Sequence, residues 1–360
     1  AAYPTEKPRL MKNFEMRIFF FRSIGKQEKT SPCQYYTPIF FVWQSFSTGK
    51  SPAIELQSCA RRGIIEEVES NYAEETLTES EFDAKYFDPA STLSCGQIFR
   101  WEEAEGGWLV FSGARACRLF CRGGKIVLRC EGADAAYFYN FFDLGRDYAP
   151  IEARACACGI PAVAQAAAAG RGIRILNQDP EEVVFSFLLS QNNHIPRIRM
   201  LIGRICAALG EERRFGGESY RTFPRAEVLA ALGEDFYAAL GCGYRAKYIA
   251  GAARILAREN AEDYRDLSTP QLREKLLKLP GVGPKVADCI ALFGYHRAEA
   301  FPVDTWVEKA YREFFGGTLK DRTKIAAYFA DLFGEYGGYI QQYLFYFERE
   351  RRNHGKDNDR

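Results

Sequence analysis

No stretch of this chain approaches the ~20 consecutive apolar residues that a bilayer-crossing helix requires. The longest early apolar run, "IFFVW" from Ile39, falls far short, and "MRIFFFR" from Met16 is too brief for the apolar region of a secretory signal. Charge of one sign is also missing: 48 Lys and Arg against 47 Asp and Glu leave a net charge of +1. Bulk charge therefore announces no polyanionic partner, and such a partner must be argued from local groups. Histidine is scarce, and His194, His296 and His354 are too dispersed to suggest a zinc site. The eleven cysteines form no regular framework, which points to reduced thiols in a cytosolic or nuclear compartment. Cys156 and Cys158, and the run Cys117, Cys121 and Cys130, lack a matching second half and read as packing residues.

What is present is an ordinary globular composition, 47% hydrophobic and 26% charged, over 360 residues, enough for about two domains. Residues 1–78 mix aromatic clusters with Lys, Ser and Pro and hold no period of 2 or 3.6; a poorly ordered extension is expected there. Over 79–175 the pattern turns to β. "QIFRWEE", "GWLVFSG", "ACRLFCRG" and "KIVLRCEG" are short aromatic and β-branched runs separated by glycines, the signature of an antiparallel meander. Helical patterns follow from "DAAYFYNFFDLG" and "PAVAQAAAAG", and residues 176–352 read as an α-helical domain. Asp179, Pro180 and Glu182 predict an N-cap, a first-turn proline and a capping box. The charged tail 353–360 is expected to fray.

One segment carries chemistry. In "STPQLREKLLKLPGVGPKVADCIALFGY" Thr269 is the expected cap of a first helix, with Leu272, Leu276 and Leu279 on its apolar side. Gly281 and Gly283 suit positive φ and leave backbone N–H groups facing outward, and Pro284 opens a second helix. Amides exposed at a helix N-terminus suit a phosphate, although a plain αα-hairpin fits the turn equally well. On the second helix Val286, Ile290 and Phe293 fall on one face, and Lys285 and Cys289 share the face beside it. A lysine in a dry neighbourhood is a better nucleophile, because desolvation favours the neutral amine. Asp304, 19 residues after Lys285 in "AFPVDTWVEK", is by itself most simply an N-cap.

Taken together, "LPGVGPKVADC" and "PVD" resemble the helix-hairpin-helix and aspartate signature of the DNA glycosylase superfamily. "CGQIFRW", "FSFLLSQNNHIPRI" and "LGCGYRAKYI" resemble the 8-oxoguanine DNA glycosylase family more specifically, over about residues 80–350. The resemblance implies an α+β protein: an antiparallel β-sheet N-terminal domain (TBP-like) followed by an all-α helix-hairpin-helix glycosylase domain. It implies a DNA glycosylase with AP-lyase activity, acting as a monomer on double-stranded DNA containing 8-oxoguanine, with no membrane role. The compartment would be cytoplasmic (nucleoid) in a prokaryote and nuclear in a eukaryote.

By that resemblance Lys285 attacks C1′ and Asp304 supplies the stabilising anion. Asn192 fills the gap left by the extruded base, Arg197 and Arg245 contact the opposite cytosine, and Tyr244 wedges beside it. Gly96, Cys289, Gln341 and Phe345 form the base pocket, while Gly281, Val282 and Gly283 hold the DNA backbone. No cofactor is required; some members bind a cation through hairpin carbonyls, here those of Leu277, Leu279 and Val282. Trp306 stands where relatives often carry a histidine, His194 where they carry asparagine, and Pro284 where they carry threonine. Three rival readings follow from the same segment. Glycosylases for oxidised pyrimidines or for mispaired adenine usually hold an iron–sulfur cluster on four late cysteines, and no cysteine follows Cys289. Alkylated-base glycosylases generally lack the hairpin lysine, and a helix-hairpin-helix module that only binds DNA would need neither Lys285 nor Asp304.

Overall fold

The computed structural model describes residues 77–357, with side chains described up to residue 352. The extension expected over residues 1–78 lies outside that range apart from its last two residues. Five strands, β1 (Leu77–Asp83), β2 (Trp101–Ala104), β3 (Gly107–Ser112), β4 (Arg115–Arg122) and β5 (Lys125–Glu131), form one antiparallel sheet in the order β1-β5-β4-β3-β2. The meander β2 to β5 follows the expected pattern. Its inner face, with Val110, Leu119, Ile126 and Leu128, packs on Phe138 and Phe141 of a short helix. Cys117 and Cys130 pack in this core as expected, whereas Cys121 and Cys156 are exposed.

The helices are α1 (Pro89–Ser94), α2 (Ala135–Phe141), α3 (Ala149–Ala157), α4 (Pro161–Ala169), α5 (Pro180–Ser190), α6 (Ile195–Leu209) and α7 (Ala226–Ala230). They continue as α8 (Glu234–Ala239), α9 (Ala246–Leu256), α10 (Thr269–Leu276), α11 (Pro284–Tyr295), α12 (Thr305–Phe314), α13 (Arg322–Phe333) and α14 (Gly337–Asp357). Among the described residues no helix is long and apolar enough to cross a membrane. The region expected to be α-helical, 176–352, is mostly helix and also holds one feature the pattern did not foretell. A hairpin of β6 (Glu212–Phe215) and β7 (Glu218–Arg221) interrupts the helices, turning on Gly216 and Gly217, whose φ values are +57° and +87°. Two successive positive φ angles are what a tight hairpin turn demands, and adjacent glycines meet that demand without strain.

Two helix starts also differ in detail. Asp179 caps α5 as expected, accepting from Glu182 N at 3.0 Å. The Glu182 side chain does not close a capping box; it accepts from Arg100 Nη1 at 3.0 Å and from Gly113 N at 2.6 Å. Burial raises the Glu182 pKa, with Arg100 and the Gly113 amide pulling it down. A buried carboxylate needs such partners, so tertiary contacts outweigh the local cap. On α10 the cap is Ser268 rather than Thr269, with Gln271 completing a capping box.

Candidate active site

The hairpin between α10 and α11 is built by packing on both sides of its turn. Leu272, Leu276 and Leu279 are buried, and Arg273 Nε donates to Asp288 Oδ1 at 2.7 Å, tying one helix to the other. Gly281 has φ +83°, and a Cβ there would lie 2.3 Å from Tyr248 Cγ. Gly283 departs from expectation: its φ is −92°, and a Cβ would meet nothing within 4 Å. Openness in front of Gly283, rather than backbone conformation, is what glycine provides there. Val282 N–H is not free either, since it donates to Leu279 O at 3.0 Å. Gly281→Ala should lower stability by about 1–2 kcal/mol from the left-handed backbone alone, and by more from the displaced Tyr248 ring. Chemical denaturation measures this, and an unchanged midpoint would contradict the geometry.

Val286, Ile290 and Phe293 are buried, as the helical wheel predicts, and Lys285 and Cys289, joined by Phe293, line a cavity of about 590 Å³. The same cavity is lined by Gly96, Asp304, Gln341 and Phe345, so six residues from four distant segments converge on it. Lys285 Nζ lies 5.6 Å from the centre of the Phe187 ring, which itself stacks on Phe293. Asp304 is the N-cap of α12: Oδ1 accepts from Trp306 N and Val307 N, each at 2.9 Å. Its other oxygen accepts nothing within the described residues. Asp304 therefore caps α12 and lines the cavity at once, with one oxygen left unengaged by the cap.

The electrostatics follow from burial. Burial pushes the Asp304 carboxyl up, against the Val307 and Trp306 amides and Lys285, which pull it down. Burial works to lower the Lys285 pKa, while Cys289 and Asp304 raise it, and the net direction is upward. The Cys289 contribution requires a thiolate, yet burial pushes that thiol up to about 11. At neutral pH Cys289 is thus an uncharged thiol, and Asp304 carries the upward pull on the lysine against desolvation. Lys285 and Asp304 thus influence each other electrostatically across one cavity. On α14, Gln341 lines the cavity and is itself buried, and its Oε1 accepts no hydrogen bond within the described residues. Phe345 is only partly buried, with the Arg349 guanidinium 5.6 Å from its ring centre.

Asn192, Arg197, Tyr244 and Arg245 do not line this cavity; Asn192 is on the loop between α5 and α6, Arg197 in the first turn of α6, and Tyr244 and Arg245 on the segment facing that loop. Asn192 has φ +46°, a conformation asparagine tolerates better than most residues. Arg245 is buried, and its guanidinium donates to the Gln191 and Asn192 carbonyls, the latter at 2.9 Å, while Tyr244 Oη donates to Gln191 O at 3.1 Å. Arg197 is exposed and makes no ion pair among the described residues. Arg245 thus has a task unseen in the sequence: it props the tip that carries Asn192. Among the described residues no cluster of three or more His, Cys, Asp or Glu could hold a metal.

This fold and this site define a helix-hairpin-helix DNA glycosylase architecture. Residues 80–184 match the 8-oxoguanine DNA glycosylase N-terminal domain, and residues 185–335 match the HhH-GPD superfamily of base excision DNA repair proteins. A solved structure of MBOgg1 with a low-affinity DNA ligand is 33% identical, covers 78% of this chain and 97% of that one, and superposes with a TM-score of 0.72. The Clostridium acetobutylicum 8-oxoguanine glycosylase/lyase, in complex with double-stranded DNA containing cytosine opposite 8-oxoguanine, is 32% identical. It covers 76% of this chain and 98% of that one, with a TM-score of 0.71. A probable N-glycosylase/DNA lyase of Methanothermobacter thermautotrophicus is 36% identical over 201 residues, 49% of this chain. That match spans 63% of the relative's own length. The chain belongs to the 8-oxoguanine DNA glycosylase family.

Proposed function

We propose that this protein is a bifunctional DNA glycosylase and AP lyase that removes 8-oxoguanine lying opposite cytosine in duplex DNA. The observation that carries the reading is a cavity lined by Lys285, Asp304 and Gln341, the last with a buried side-chain oxygen that has no partner among the described residues. A buried amide oxygen left unsatisfied costs free energy, and the guanine N1–H and N2–H groups are donors that would repay it. Phe345 stacks on one face of the base and Cys289 covers the other. The target nucleotide must be extruded to reach them, and Asn192 at the loop tip enters the vacated space.

Lys285 forms a bond from its amine nitrogen to C1′ as the glycosidic bond breaks, and the base leaves as a neutral species after gaining a proton. Asp304 stabilises the positive charge that develops on the sugar. Opening of the sugar gives a Schiff base, which acidifies C2′ and permits β-elimination of the 3′ phosphate. The Gly281, Val282 and Gly283 backbone holds the DNA strand. A cation can join that contact: the Leu279 carbonyl retains a lone pair beside its bond from Val282 N–H, and the Leu277 and Val282 carbonyls complete the set. The test is borohydride trapping on an 8-oxoguanine:cytosine duplex, where a covalent protein–DNA adduct is expected. A protein that binds the duplex and yields no adduct would refute the reading.

Opposite-base preference gives a further prediction. Cytosine presents O2 and N3 as acceptors, and guanidinium donors suit that edge. Arg197→Ala should flatten the preference for cytosine by roughly 1–3 kcal/mol. Arg245→Ala should flatten it and also slow excision, because the Asn192 carbonyl loses its donor and the Gln191 carbonyl keeps only Tyr244 Oη. Excision rates over duplexes with all four opposite bases measure both effects; unchanged ratios would remove Arg197 from this role.

A further inference from the structure

The loop that carries Gly96 is pinned one carbonyl at a time. Arg349 Nη1 donates to Ser94 O at 2.9 Å, Gln342 Nε2 to Cys95 O at 3.0 Å, and Gln178 Nε2 to Gln97 O at 2.8 Å. The Gln97 side chain adds bonds to Arg174 O at 2.7 Å and from Leu176 N at 2.9 Å. Gly96 O, in the middle of this series, accepts nothing among the described residues. Gly96 itself has φ +86° and lines the cavity, 3.7 Å from Phe345 measured from its ideal Cβ position.

A glycine has wide backbone freedom, so the direction of its carbonyl is only as definite as its flanking peptide planes. Gln342 fixes the plane before it. Gln342 is almost wholly buried on α14, one residue past Gln341, and the two amides divide their work. One lines the cavity with its oxygen left unpartnered; the other spends its donor on the loop. The reader of the base's pairing edge and the support of the opposite wall thus sit on one rigid helix, which sets the spacing between them.

We infer that Gln342, seconded by Arg349, is a positioning residue that aims the free Gly96 carbonyl at the base and so sets lesion recognition. The inference rests on the proposed glycosylase function. 8-Oxoguanine differs from guanine in bearing a proton on N7, and a carbonyl held in place accepts from it but repels the lone pair of the normal base. Substituting Gly96 itself is a poor probe, because any side chain at φ +86° adds strain. Gln342→Met keeps the volume and removes the donor without touching Gly96.

The experiment compares single-turnover excision of 8-oxoguanine with cleavage of a preformed abasic site in the same duplex, alongside a thermal melt. Excision should fall at least about tenfold more than abasic-site cleavage, since only the former needs the base to be read. Equal losses would mean that Gln342 merely supports the fold, and would overturn the inference while leaving the glycosylase reading intact. Should Gln342→Met not fold, Arg349→Met removes the neighbouring donor near the surface. It should shift the same ratio by several-fold, with Arg349→Lys restoring most of it; equal losses there would likewise overturn the inference. A wild-type protein that cleaves abasic sites but never excises 8-oxoguanine would overturn the functional reading and this inference with it.

Discussion

Lys285→Gln should bind lesion DNA nearly as well as the wild type yet excise at least about a thousandfold more slowly, a loss of about 4 kcal/mol or more of transition-state stabilisation. The hairpin backbone proposed to hold the DNA strand is untouched by the change. Glutamine also keeps most of the lysine's length, so the cavity wall beside Phe187 stays filled. What disappears is the only amine lining the cavity from α11. Borohydride should trap wild-type protein on 8-oxoguanine duplex and fail with the variant, while a gel-shift assay finds similar affinity for both. If Lys285→Gln traps as efficiently as wild type, another group is the nucleophile. The fold should be no weaker, because a neutral amide removes the desolvation penalty of a partly buried ammonium.

Asp304→Asn separates two functions carried by one side chain. Asparagine is as good an N-cap as aspartate, so its oxygen can still accept from the Trp306 and Val307 amides. The anion, however, is gone. Excision should fall about 10²–10³-fold, the usual cost of removing one electrostatic stabiliser of a transition state. The same change releases the upward pull on Lys285, so more of the amine is neutral, which offsets a part of the loss without cancelling it. Melting temperature should stay nearly constant for Asp304→Asn, whereas Asp304→Ala should also lose about 1 kcal/mol of stability with the cap. Full activity in Asp304→Asn, with loss only in Asp304→Ala, would reduce Asp304 to a helix cap.

Much of the cavity was readable along the chain. Lys285, Cys289, Asp304, Gln341, Phe345 and Gly96 lie in short motifs whose residue types suit their chemistry, and all six line one space. Gln342 was not singled out, although two adjacent glutamines within an apolar helix are a signal that an amide has buried work to do. The β6–β7 hairpin was missed because its strands are four residues each, too short to hold a period against helical neighbours. Glu182 was misassigned for a different reason. Its spacing from Asp179 satisfied a local rule, and a buried arginine 82 positions earlier in the chain decided otherwise.

The sequence by itself determined the β2–β5 meander followed by helices, the hairpin turn with its lysine, and the residue types available for chemistry. Those features depend on neighbours within one or two turns, where backbone sterics and hydrophobic period act directly. Only the tertiary structure decided which donors go where. It spent one Asp304 oxygen on a helix and left the other unengaged by the cap. It used Arg245 to brace the loop tip and left Gln341 Oε1 and the Gly96 carbonyl without partners. Such assignments depend on groups brought together from distant parts of the chain, and a buried polar atom is satisfied or orphaned only once all its neighbours are in place.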